Sequence, residues 1–128
     1  MQVPSGFTTG LLIEAAAEGK IAVGFAKDGV LMGDFTLSPL DVANMAAALL
    51  AASRDGSKDL PAQEVEDHSG ALIQPSSFAL GPGINPEEES LILSFGRSHL
   101  AFSMRAETML SLGESMVTLV GNRGMRAN

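Results

Sequence analysis

Apolar residues along this chain first alternate at strand period and then recur at helix period, and that succession occurs twice. Residues 7–17 alternate through Phe7, Thr9, Leu11 and Ile13, compatible with a first strand. Ile21-Ala22-Val23-Gly24-Phe25-Ala26 puts large side chains on one face and small ones on the other, which predicts a second strand. Asp28-Gly29 is a two-residue hairpin signal, because a type I′ turn needs positive φ at both centres, and residues 30–36 return as a third strand. Ser38-Pro39 then starts a helix expected to run to about Ser53, with Ser38 capping free N–H groups and Pro39 at a position that needs no donor.

The second copy is explicit in the residues. Pro4-Ser5-Gly6-Phe7, continued to Ile13, returns 71 positions later as Pro75-Ser76-Ser77-Phe78, continued to Ile84. Ile21-Ala22-Val23-Gly24-Phe25 then lies over Leu91-Ile92-Leu93-Ser94-Phe95, and Ser38 over Thr108, at an offset of 70. Strands are expected near 72–80, 91–97 and 100–105, with a hairpin turn at Ser98-His99. A helix capped by Thr108 should run from Met109 to about Val120 and end at Gly121 and Gly124. Two copies indicate a duplicated domain rather than a solenoid. The expectation is an α+β fold of the form βββα-linker-βββα with pseudo-twofold symmetry. It has about six mainly antiparallel strands and two helices packed on the sheet. One domain covers residues 1–128, with repeat one at about 2–53, the linker at 54–70 and repeat two at about 71–123.

Each helix carries a second apolar stripe. Val42, Met45, Ala46 and Leu49 are expected to cover the sheet, as are Leu112, Met116 and Leu119 in the second copy. That leaves Leu40, Ala43 and Ala47, mirrored by Leu110, Gly113 and Val117, as an interface for a homo-oligomer.

Composition narrows the classes. The 128-residue chain is 45% hydrophobic and 18% charged, within the globular range. Its longest apolar stretch, 42–52, falls far short of a bilayer span, so no membrane partner is expected. No secretory signal is visible and there is no cysteine, which points to a cytoplasmic protein without disulfides or thiolate chemistry. The net charge of −7 divides as −3 over 1–53, −3 over 54–70 and −1 over 71–128, so no basic patch recommends duplex DNA.

Chemistry-bearing residues are sparse. Glu64, Glu66, Asp67 and His68 gather in the linker, where a solvated acidic loop is expected rather than a metal site. His99 lies between Arg97 and Arg105 along the chain without a nucleophile placed beside it, so no catalytic role and no cofactor are expected. Gly81 and Gly83 precede Glu87-Glu88-Glu89 and lack the Lys-Ser/Thr of a phosphate loop, which makes this segment a turn. Arg123 and Arg126 stand in a charged tail. A face of small side chains remains, with Ala22, Gly24 and Ala26 in one copy and Ser94, Gly96, Ala101, Ser103 and Arg105 in the other. Together with Arg97 and His99 it forms a candidate binding face, since glycine within a strand permits close approach.

The tandem order of strands and then a helix resembles the Whirly type of single-stranded-DNA-binding protein, in which four strands and a helix repeat. That resemblance rests on element order and implies single-stranded nucleic-acid or nucleotide binding as the alternative function. The first expectation is a non-enzymatic interaction or sequestering protein, a homo-oligomer that binds a protein partner or a small ligand.

Overall fold

The computed structural model describes residues 1–61 and 72–127. The first copy contains β1 (Gly10–Ala15), β2 (Ile21–Lys27), β3 (Val30–Leu37) and α1 (Pro39–Gly56). The second contains β4 (Ser77–Pro82), β5 (Glu88–Phe95), β6 (Ser98–Arg105) and α2 (Ala106–Ala127). The α+β layout, three strands followed by a helix, is therefore present twice. The strands form two three-stranded sheets, ordered β1-β2-β3 and β4-β5-β6, so β2 and β5 are central. Two compact units result: Met1–Gln74 with Phe95–His99, and Pro75–Ser94 with Leu100–Asn128.

Local chemistry accounts for the first unit's turns. Asp28 (φ 53) and Gly29 (φ 79) take the positive φ that the type I′ hairpin requires. The Asp28 N–H donates to Thr9 Oγ1 at 3.2 Å and the Gly29 N–H to the Thr8 carbonyl at 2.8 Å, tying the hairpin tip to the segment before β1. Between β1 and β2 a short 3₁₀ turn, Ala17–Gly19, is closed by the Ala16 N–H donating to the Lys20 carbonyl at 2.8 Å. Pairing is antiparallel throughout this sheet, with Leu11, Phe25 and Gly33 in one cross-strand row and Ile13, Val23 and Phe35 in the next. A bulge follows Phe25: Ala26 pairs with Leu31, and Met32 has no opposite number.

Helix α1 begins as its sequence requires. Ser38 Oγ accepts from the Asp41 N–H at 3.1 Å, and the Asp41 carboxylate accepts from the Ser38 N–H at 3.1 Å, a reciprocal capping box. The helix continues through Arg54 to Gly56, a turn beyond the expected end at Ser53.

Three expectations are corrected in the second copy. The β5–β6 turn is Gly96-Arg97, not Ser98-His99, because Gly96 supplies the positive φ (63) without a side-chain penalty while His99 sits within β6. Helix α2 starts directly after β6 at Ala106, which puts Thr108 inside the first turn rather than at the cap. Gly121 and Gly124 do not stop that helix; neither has positive φ, so neither makes the left-handed turn of a glycine stop.

The helices cover their sheets sparingly. Among the described residues the buried hydrophobic side chains are Val23, Ala26 and Ala43, and no large side chain is fully buried. On α1, Val42 and Ala46 are half-covered, whereas Met45 and Leu49 remain exposed. On α2, Met109 and Leu112 are half-covered while Met116 and Leu119 are exposed.

Candidate functional site

Small residues on β2 make room for the chain's own side chains. A Cβ on Gly24 would strike Met1 Sδ and lie 3.0 Å from Leu31 Cδ1, so the floor of Ala22, Gly24 and Ala26 is occupied from within the unit. Ala26 is fully buried there. The bulge explains the covering: it turns Leu31, rather than Met32, onto the Gly24 face. As a docking floor this half of the predicted face is closed.

The corresponding polar residues of the second copy brace turns. Ser103 Oγ accepts from the Ile84 N–H and donates to Glu88 Oε2, both at 3.0 Å, while the Asn85 side-chain amide donates to Glu88 Oε1. Gly83 N–H to the Glu88 carbonyl and Glu88 N–H to the Asn85 carbonyl, both 3.0 Å, close the same loop. The glycine–acid segment 81–89 is thus a clamped turn with Glu88 at its centre, as its lack of phosphate-loop residues implied. Ser94 offers its carbonyl to the Ser76 N–H at 2.7 Å and to Ser76 Oγ at 2.9 Å.

His99 lies within β6, and Arg97 and Arg105 do not converge. Arg97 sits in the β5–β6 turn and Arg105 at the far end of β6, a strand length of about 25 Å at the usual rise per residue. Arg97 instead lines a cleft of about 890 Å³ within the first unit, with Glu18, Ile21, Pro39, Val42 and Phe95. Ser98 fixes that wall by donating from Oγ to the Pro39 carbonyl at 2.8 Å. Glu18 and Arg97 thus bring opposite charges to a lining that also includes the apolar side chains of Ile21, Pro39, Val42 and Phe95. Sequence reasoning missed Glu18 here, although its unusual φ of 62 beside Gly19 marks the turn that brings it in.

A second cleft, about 520 Å³, lies within the second unit between the β4–β5 face and α2. Phe78, Leu80, Leu91 and Leu93 form one wall, and Met109, Leu112, Gly113 and Met116 the other. Its lining is almost wholly apolar. Gly113, assigned from the sequence to an interface stripe, belongs to this cleft, while Leu110 and Val117 are exposed on α2. On α1 the corresponding stripe is interrupted, since Ala43 is buried between exposed Leu40 and Ala47.

Hydrogen bonds from the Ser38 backbone and side chain hold the Asp41 carboxyl below its ordinary value. No group of three or more His, Cys, Asp or Glu side chains able to hold a metal occurs among the described residues. The acidic set Glu64, Glu66, Asp67 and His68 lies outside the described residues. No described helix is long and apolar enough to cross a membrane. The chain matches no protein-family model, no curated protein and no solved structure.

Proposed function

We propose that this chain is a non-enzymatic interaction protein that works as a homo-oligomer and presents apolar surface to a protein partner or a small apolar ligand. One observation carries the reading: two well-paired sheets, each with an adjoining helix, bury so little that Val23, Ala26 and Ala43 are the buried hydrophobic residues among those described. Meanwhile Leu11, Ile13, Phe25 and Phe35 in one sheet, and Phe78 and Leu80 in the other, stay exposed. Contiguous apolar surface of this kind mostly marks an interaction site, and its removal from water on association is strongly favourable.

The test is the mass of the native particle. Sedimentation velocity across a wide concentration range is expected to give a multiple of the 13.2 kDa chain. Native mass spectrometry of protein purified from its own host is expected to show that multiple, with or without a retained ligand. A species that stays monomeric at every concentration and carries nothing would overturn the proposal.

A further inference from the structure

One face of the first sheet, whose Ile21 end adjoins Pro39 and Val42 of α1, singles itself out from the other exposed surfaces. Register places Leu11, Phe25 and Gly33 in one row and Ile13, Val23 and Phe35 in the next, all on one side of the sheet. Leu11 is 65% exposed, Ile13 68%, Phe25 44% and Phe35 51%, although they surround the buried Val23. No charged residue occupies these two rows. On the edge strand β3, Gly33 forms a notch: a Cβ built there meets nothing within 4 Å, and Phe25 stands directly across from it. A glycine inside a strand with open space above it, flanked by exposed aromatic rings, is a socket beside its own knobs.

We infer that this face is the contact between two copies of the chain, packed sheet on sheet about a twofold axis, with Phe25 or Phe35 of each copy seated over Gly33 of the other. The inference rests on the homo-oligomer reading and names its surface. Three arguments select a second copy as the occupant. The face is complementary to itself, since knobs and notch lie on the same patch, as an isologous contact requires. Its two rows lack charge and so offer nothing to a charged partner, and they match the apolar inner face that a stacked sheet presents. The area fits a weak, reversible pair: the four exposed side chains contribute about 400–450 Å² per copy, so a twofold contact buries about 800–900 Å² from them, the small end of the range for specific complexes. The α1 stripe of Leu40, Ala43 and Ala47 competes poorly, because Ala43 is already buried within its own unit.

Sedimentation equilibrium of the full chain and three variants tests the assignment, with circular dichroism reporting the fold of each. Ile13→Lys places a charge in the patch and also lowers the net negative charge, so weaker association cannot be ascribed to added long-range repulsion. It is expected to raise the dissociation constant at least about 100-fold. Gly33→Val fills the notch, which is open in the single chain, and is expected to weaken association about tenfold or more while leaving the strand content intact. Leu40→Lys, on the α1 stripe, is expected to stay within about threefold of the wild type. A monomeric wild type overturns the homo-oligomer reading itself. An oligomeric wild type whose mass is unaffected by Gly33→Val and Ile13→Lys overturns the sheet contact and leaves that reading standing. Dissociation by Leu40→Lys alone moves the interface to the helix and overturns the sheet contact as well.

Discussion

Gly83→Ala is the sharpest test of the turn architecture, because its effect follows from the space around one backbone position. A Cβ at Gly83 would lie 2.6 Å from the Glu88 carbonyl carbon and 2.7 Å from its oxygen, against roughly 3.4–4 Å for ordinary contact. The obstacle is backbone, so no side-chain rotation relieves it. Moving the two segments apart by nearly an ångström strains the Gly83 N–H to Glu88 carbonyl bond and loosens the Glu88 carboxylate from Asn85 and Ser103. Overpacking contributes about 1–3 kcal/mol and a weakened hydrogen bond about 1 kcal/mol. The stiffer unfolded chain returns about 0.4–1 kcal/mol, leaving a net loss of about 2 kcal/mol. At the scale for a chain of this size that is about 8 °C in Tm. Gly81→Ala is the internal control: its Cβ would meet the end of the Ile92 side chain at 3.4 Å and Ser90 Oγ at 3.6 Å, both ordinary contacts, so the expected change lies between none and a gain of about 1 kcal/mol. Far-UV circular dichroism is the suitable probe, since the chain has neither Trp nor Tyr. All proteins must be melted at one concentration because self-association adds to stability. If Gly83→Ala melted at or above Gly81→Ala, the clamped turn would be wrong.

Ser38→Ala should lower stability by about 1 kcal/mol in the same melts, and an unchanged Tm would contradict the reciprocal cap. Asp41 titrates below its ordinary value when folded, so its contribution is complete above the unfolded carboxylate pKa and is lost as pH falls through the lower folded value. Acid melts of wild type and Asp41→Asn should therefore converge at the acid end, and a constant separation would dispose of the linkage. Single-stranded oligonucleotides titrated at low salt should show no saturable binding, given the net charge of −7; salt-sensitive saturation would instead favour the nucleic-acid alternative.

The elements were legible in the sequence where local chemistry decides them. Alternation in residues 21–26 indicated β2, Asp28-Gly29 its hairpin and Ser38-Pro39 the start of α1. The second hairpin misled because the repeat suggests matching loop lengths. The strand ends at Phe95 and Gly96 turns at once, two residues sooner after the shared Phe than Asp28 does after Phe25. Helical periodicity showed which residues share a face and not what that face touches, so Leu49 and Met116 were expected under cover and lie in the open. The small-residue floor was legible as a place of close approach. That Met1 and Leu31 make the approach depends on a bulge with no composition signal. Ser103 was read as part of a flat floor, and its role as a turn brace emerges only once Glu88, fifteen residues earlier in the chain, is in place.

Because each sheet has three strands, β1 and β3 in the first and β4 and β6 in the second are edge strands, and an edge strand offers a row of backbone groups to a further strand. Such rows template the addition of further strands, which makes runaway fibrillation the hazard of a chain that associates. The edges carry their own interruptions. β3 has the bulge at Met32 and the charge of Asp34, β4 ends at Pro82 with no donor to offer, and β1 carries Glu14. Growth through β1, β3 and β4 is thereby hindered, while the two charge-free rows proposed as the contact stay available. A twofold contact through those rows, as proposed, would close after two copies and leave no surface for continued growth.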